Sequence, residues 1–493
     1  MKYYLGLDCG GTFIKGILLN EEGYILNCIK EEIEVISLDL GYAERDMIRF
    51  WQKVSNLIKR LIKSSGVDSN NIHAIGISSQ GKGAFLLDCD LKPLGHAILS
   101  SDKRADYIVE RWRQNNIVEQ SYAITCQPVW SGHPVSILRW IKENDPNRYA
   151  KIYVVLMTHD YLRFCLTGRL YCEESNISES NVYNSHNRNY DKNLFTLFDI
   201  EEMYEKFPPI IKSNEIAGYV TEKAAKLSGL RAGIPVVGGF FDVTSSVFCA
   251  NLENESQLNV IFGTWTIVGG ITKKIRYNKN KIIYSNYLNS KGFIVHDDSP
   301  TSAANLEYFI EQYNNLDYEQ INQEISKIPV ASSSILFIPF LYGSNVIQEM
   351  KSGLYGLQYY HSRFHILQAV YEGVIFSFMY HLNRIRTVFN DVSILKVMGG
   401  ITKSDVWLQM LADITQLPLE ILDIEEPGCL GAALMAMQGD NQNTDFIIEK
   451  MHCKKKIIYP NRSNSVLYQL KYHRYLKLVE LLRDYELDLK NFT

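Results

Sequence analysis

Over the first thirty positions, short apolar blocks alternate with polar ones. Tyr4, Leu5 and Leu7 are separated from Ile14, Ile17 and Leu18 by the glycine-bearing stretch Asp8-Cys9-Gly10-Gly11-Thr12. The pattern predicts strands over 3–8, 14–19 and 24–30, the first two joined as a hairpin. Asp46 is then placed to N-cap a helix whose apolar face carries Ile48, Trp51, Val54, Leu57, Ile58, Leu61 and Ile62. A further strand at 72–78 ends at Ser79-Gln80-Gly81-Lys82-Gly83. Three antiparallel strands followed by helix–strand alternation make a mixed α/β domain.

The order restarts near 250. A second hairpin over 258–270 leads to more strands up to about 296, a helix near 302–314 and a long helix over 363–386. An apolar strand, Ile394 to Met398, closes on Gly399-Gly400, and Ser404 can N-cap a helix bearing Trp407, Met410, Leu411 and Ile414. A last glycine turn, Pro427 to Ala433, is expected to feed a helix of small residues suited to a hinge. With 493 residues, the chain exceeds the roughly 250–300 at which one core stops growing. Two domains are therefore expected, 1–248 and 249–493, dividing near 245–255.

Composition narrows the function. Charged residues are 22% of the chain, the net charge is -4 and the pI is about 6.3, leaving no broad basic field for nucleic acid or anionic membrane. The run Lys454-Lys455-Lys456 reads as solvated surface. No signal-peptide pattern opens the chain and no apolar run reaches about 18 residues, so a cytoplasmic protein is expected. Nine cysteines without a C-x-x-C pair argue against a zinc site or a disulfide framework. Cys9, within the first glycine turn, reads as a buried inert thiol.

The chemistry gathers around three segments. Glycine lets backbone N–H groups converge on an anion, so Asp8 to Thr12 and Val260 to Thr264 both suit phosphate, as two copies of one unit. Between them in sequence lies Gly238-Gly239-Phe240-Phe241-Asp242. Phosphoryl transfer from ATP needs donors along the phosphates, a carboxylate-held Mg²⁺ and a base for the attacking hydroxyl. Gly10, Gly11, Thr12, Lys15, Gly263 and Thr264 are candidate phosphate contacts, and Asp8 a candidate metal ligand. Asp242 is a candidate base; it also fits an ordinary helix N-cap ahead of Val243-Thr244-Ser245.

Ser352-Gly353-Leu354-Tyr355-Gly356-Leu357, followed after seven residues by His365 to Glu372, matches a spaced C-terminal signature. By it the chain resembles the FGGY carbohydrate kinases over nearly its full length. Asp160-Tyr161-Leu162 with Leu166-Thr167-Gly168, Gly399-Gly400 with Trp407, and Gly431-Ala432-Ala433 extend the match. The resemblance implies two actin-like (ribonuclease H-like) ATPase domains flanking a cleft, with ATP mainly on the second and sugar mainly against the first. It implies Asp242 as catalytic base, Asp8 and Asp242 as Mg²⁺ ligands, and Gly399 and Gly400 beside the adenosine. Gln80, Gly81, Lys82, Asp102, Arg104, His133, Asp160, Glu174 and Asp242 are the implied sugar contacts. A homodimer is a family-level expectation.

Several segments, among them Ala43 to Met47, Gln80 to Gly83 and Glu173 to Asn181, resemble the bacterial branch acting on L-xylulose and 3-keto-L-gulonate. D-Xylulose kinases usually carry Gln-Met-His-Gly where this chain has Gln80-Gly81-Lys82-Gly83, which argues against D-xylulose. The family's Pro-x-x-Lys is here Pro134-Val135-Ser136-Ile137. Lys82 or Arg104 is placed to meet the carboxylate of a keto-acid; alternatively Lys82 is a solvated loop lysine and Arg104 pairs with Asp102 to shape the cleft. A kinase for another ketose or polyol such as L-ribulose or glycerol, and a sugar sensor or chaperone-type ATPase, share the implied fold.

Overall fold

The computed structural model describes all residues except 264, 277–278, 289–291, 314–315, 348–349, 452–455 and 491–493. Thr264 and most of the 454–456 lysine run therefore lie outside the described residues. The first sheet contains β1 (Tyr3–Cys9), β2 (Phe13–Asn20), β3 (Ile25–Glu32), β4 (Ile72–Ser79), β5 (Ile216–Tyr219), β6 (Pro235–Val237) and β7 (Phe240–Phe241). Its order is β5-β6-β4-β1-β2-β3, with β7 beside the end of β4. The second contains β8 (Gln257–Phe262), β9 (Thr266–Thr272), β10 (Ile283–Tyr287), β11 (Gly292–Ser299), β12 (Ile394–Gly399), β13 (Leu419–Ile421) and β14 (Lys456–Ile458), in the order β10-β11-β9-β8-β12-β13-β14.

The two sheets repeat one topology. β1 and β8 each pair antiparallel with the next strand and parallel with a strand that returns after a helical connection, β4 and β12. Those in turn pair parallel with β6 and β13. The duplication read from the two glycine turns is thus a duplication of the whole sheet, and the architecture is the actin-like α/β arrangement expected.

Helices fill the faces. They include α1 (Met47–Ser65), α2 (Pro134–Asn144), α3 (Thr158–Thr167), α4 (Glu174–Ile177), α5 (Asp242–Ala250), α6 (Arg363–Arg386), α7 (Asp405–Thr415), α8 (Pro427–Gly439) and α9 (Arg462–Lys490). Asp46 caps α1 by accepting from Ile48 N and Arg49 N, and Ser404 caps α7 by accepting from Trp407 N. The α1 face is rotated from the expected one. Met47, Phe50, Val54, Leu57, Ile58 and Leu61 are buried, following the 3.6-residue period, while Ile48 is 57% exposed.

The expected glycine turn at 427–433 is helical: those residues are the first two turns of α8. Ten of its thirteen residues, Gly428 to Met437, are buried, as suits a helix apolar all round. It packs against β1, β4 and α5. In the core around it, Tyr4, Ile17, Leu19 and Ala74 of the first sheet meet Ile294 and Met398 of the second. The approach is close because two strand positions carry no side chain. A Cβ on Gly6 would lie 2.0 Å from Cys429 O, and one on Gly76 2.0 Å from Ala432 O. Gly76→Ala should therefore lower the unfolding free energy by about 1–3 kcal/mol or more through overpacking. Gly353→Ala, with nothing near its added Cβ, should stay within about 0.5 kcal/mol of the parent in urea denaturation.

Candidate active site

Sheet register brings the two acidic candidates to one edge. Asp8, next to last in β1, pairs with Ser78 of β4, which pairs in turn with Phe240 of β7. The chain then enters α5 with Phe241 as N-cap and Asp242 as the first helical residue, its carboxylate accepting from Val243 N at 2.7 Å. Asp242 is therefore not the cap itself. Phe241 N is held by Ser175 Oγ at 3.0 Å, and Ser175 Oγ donates to Glu173 Oε2 at 2.6 Å, so a buried relay from α4 fixes the turn that delivers Asp242.

Both carboxylates are strained electrostatically. Burial and the neighbouring Asp8 push Asp242 up to about 8, against the opposing pull of Lys82. Burial also raises Asp8 to about 6, with Lys15 pulling it down. Asp8 Oδ1 is buried without a hydrogen-bond partner, and a Cβ on Gly428 at the start of α8 would sit 2.4 Å from Asp8 Cγ. Two mutually repelling carboxylates, one with an idle buried oxygen, suit a divalent cation that takes one or two carboxylates and fills its remaining positions with phosphate and water.

The first glycine turn surrounds this edge. Gly10 N donates to Phe13 O at 3.0 Å, Arg45 donates to Gly11 O at 2.5 Å, Thr12 is exposed, and Lys15 pairs with Glu426 at 2.5 Å. Gln80 leans on the turn, its Oε1 3.1 Å from where a Cβ on Gly11 would lie. In the second sheet Gly399 pairs with Phe262, so Gly263 and Gly400 leave adjacent strand ends side by side. Gly399 has φ +93° and a Cβ there would meet Phe262 O at 2.4 Å, so only glycine fits. Ser302 Oγ anchors Gly263 O at 2.7 Å.

Beyond Asp242 the cleft is polar and walled by both halves. Gly81 leaves no room for a side chain, since its Cβ would sit 2.6 Å from the Phe241 ring. Lys82 is 4% exposed, ion-pairs with Glu179 and lies 4.8 Å from the Trp130 ring centroid and 4.6 Å from that of Phe241. His133 is buried against Trp130 and leaves Nε2 without a partner; burial and Lys82 hold it well below the usual imidazole range. Glu174 accepts from Tyr183 OH at 2.9 Å and from Asn286 Nδ2 of β10 at 3.1 Å.

The family model for the N-terminal domain of FGGY carbohydrate kinases matches residues 3–249, and that for the C-terminal domain 258–439. A probable L-xylulose kinase of Haemophilus influenzae is 54% identical over 98% of this chain and 100% of its own. The L-xylulose/3-keto-L-gulonate kinase of Escherichia coli is 48% identical over 100% and 99%. Among solved structures, a ligand-bound xylulose kinase from Lactobacillus acidophilus superposes with a TM-score of 0.90 at 21% identity, covering 98% of each chain, which shows the shared fold. The chain belongs to the FGGY family of carbohydrate kinases.

As an FGGY kinase it uses ATP, and the turns at Asp8 and Gly263 lie where the two domains present their strand ends. Three residues expected to touch sugar also bond extensively within the protein. Asp102 uses both oxygens, accepting from Arg104 N, Nε and Nη2 at 2.8–2.9 Å and from Ala43 N at 2.7 Å. Arg104 also donates to Glu44 at 2.7 Å and stacks 4.0 Å from the Tyr42 ring. Asp160 is not the cap of its helix but its third residue, accepting from Arg163 at 2.8 Å, Glu173 N at 3.0 Å and Met157 N at 3.3 Å. Lys82 is a buried ion-pair partner rather than a solvated lysine.

Sequence reasoning passed over Glu179, which pairs with Lys82 within the first half, and His296 and Asp298 of the second half, which extend that pairing. The available signal was His296-Asp297-Asp298 directly after the apolar run Phe293-Ile294-Val295, ionisable residues on a strand that should be buried. Removing one member of a buried ion pair strands the other. Asp160→Asn should accordingly cost about 3–5 kcal/mol of stability in urea denaturation.

Proposed function

We propose that this kinase transfers the γ-phosphoryl group of Mg-ATP to the terminal hydroxyl of a ketose, L-xylulose first and 3-keto-L-gulonate second. The observation that carries the reading is that sheet register brings Asp8 and Asp242 to the same strand ends, where the charges of Asp8 and Lys82 both act on Asp242. The relatives named L-xylulose kinase supply the substrate class. The order of preference follows from charge: Lys82 is matched by Glu179, and Arg104 by Asp102 and Glu44. Neither cation is free for a second carboxylate, and an unmatched buried carboxylate is costly.

In this mechanism the Gly10–Thr12 turn and Lys15 hold phosphate oxygens from the first domain and the Gly263–Thr264 turn from the second, with Gly399 and Gly400 against the adenosine. Asp8 and Asp242 would hold Mg²⁺, which supplies positive charge against the phosphates and lowers the repulsion between the two carboxylates. Asp242 accepts the proton of the attacking hydroxyl; burial raises its affinity for that proton, while Lys82 and the Mg²⁺ charge would keep it ionised beforehand. Gln80, Lys82, His133 and Glu174 orient the sugar, and Asp102, Arg104 and Asp160 shape the wall behind it. Closure of the two domains excludes water from the γ-phosphate.

ADP release should be strong with L-xylulose, weaker with 3-keto-L-gulonate, and weak with D-xylulose, L-ribulose and glycerol. Asp242→Asn should cut kcat by about 10²–10⁴-fold while nucleotide still binds. Nucleotide binding without sugar-dependent turnover on any of the five would favour a sensor instead. Chelation of Mg²⁺ should abolish turnover, and Asp8→Asn should raise the Mg²⁺ concentration needed for half-maximal rate.

A further inference from the structure

Lys82, Glu179, His296 and Asp298 form a line of alternating charge that crosses from the first half of the chain to the second. Lys82 Nζ ion-pairs with Glu179 Oε2. Glu179 Oε1 lies 2.8 Å from His296 Nε2, and His296 Nδ1 lies 2.8 Å from Asp298 Oδ1. Ser285 of β10 adds its hydroxyl to Glu179 Oε1. Glu179 and His296 are fully buried. Burial pulls against a charged imidazole, but Asp298 and Glu179 outweigh it and push His296 up to about 10. At the first-half end, Lys82 Nζ lies 4.6 Å from the ring centroid of Phe241, the residue that precedes Asp242.

Two features separate this line from ordinary interface packing. First, β10 is already docked on the first half by neutral bonds, from Gln127 Nε2 to Tyr284 O at 2.7 Å, Tyr122 OH to Ile282 O at 2.8 Å, and Asn286 N to Ser178 Oγ at 3.0 Å. A buried charge chain adds little as glue there, because desolvation offsets its attraction. Second, Lys82 sits at φ +62°, a region a lysine occupies only when its surroundings dictate it. Its N–H is held by Asn176 Oδ1 at 3.2 Å and its ammonium lies between two aromatic rings.

We propose that Glu179 and His296 are positioning residues for phosphoryl transfer: they fix the Lys82 ammonium beside Asp242 and the acceptor sugar. Lys82 is held within the first half, and His296 of the second sheet in turn holds the Glu179 carboxylate that pairs with it. When the two halves come together, the second half thereby tightens the acceptor side of the site. The inference rests on the function proposed above.

The test is a double-mutant cycle on the full chain, with Lys82→Met, His296→Gln and the pair, measured with Mg-ATP and L-xylulose alongside melting temperature. His296→Gln should lower kcat with sugar by about tenfold while KM for ATP stays within about twofold, as for groups coupled by contact. The pair should be no worse than Lys82→Met alone. Multiplying effects in an active wild type would overturn the inference, as would a His296→Gln protein that melts earlier but keeps kcat and both KM values. Should His296→Gln not fold, Ser285→Ala, which removes one contact to Glu179, takes its place in the cycle with the same two outcomes. A wild type without turnover on any ketose would overturn the proposed function and this inference together.

Discussion

The active site depends on the contact between α8 and β1 and β4, the two central strands of the first sheet. A helix can lie with its carbonyls against a strand only where the strand has no side chains, and Gly6 and Gly76 provide that on neighbouring strands. The same helix places Gly428 against the Asp8 carboxylate and presents Glu426 to Lys15. α8 belongs to the second half of the chain, so this packing contact joins the β10 hydrogen bonds in setting where each half stands relative to the other. It also sets how deep Asp8 lies, and hence the burial that lifts its pKa.

Charge inside the cleft is arranged in two contrasting ways. Around Asp102, Arg104, Asp160 and Arg163 every cation has its carboxylates and most oxygens have donors, so these groups form rigid wall. Around Asp8 and Asp242 the balance is left incomplete: two buried carboxylates repel, one oxygen is unpartnered, and the nearby cations Lys15 and Lys82 are already shared with Glu426 and Glu179. The first arrangement gives stiffness. The second leaves an electrostatic deficit that a cation and a transferring phosphoryl group can fill, which is what preorganisation for charge transfer requires.

Much of this was legible along the chain. Periodicity located α6 at its ends, the Asp46 and Ser404 caps and both hairpins, because local hydrogen bonding and the apolar face decide those elements. Asp8, Asp242 and the glycine turns carried their chemistry in residue type and neighbours. Period alone misjudged the 427–433 segment, where glycines that read as a turn serve instead to let a helix approach a sheet. It also put Ile48 on the α1 core side, since a first turn apolar at Met47, Ile48, Phe50 and Trp51 leaves the face ambiguous by one position.

What the sequence by itself determined was the duplicated α/β plan, the family and the residues able to do phosphoryl transfer, because each is encoded in short stretches whose physics is local. Which carboxylates are free and which are spent was decided only in the tertiary structure. Asp102 and Asp242 are equally acidic as letters, yet one is saturated by Arg104 and the other is buried within the repulsion of Asp8. Likewise Lys82 meets Glu179, and Glu179 meets His296 of β11, only because the fold brings together segments far apart along the chain. Desolvation and charge pairing depend on what surrounds a group in space, and no local pattern carries that information.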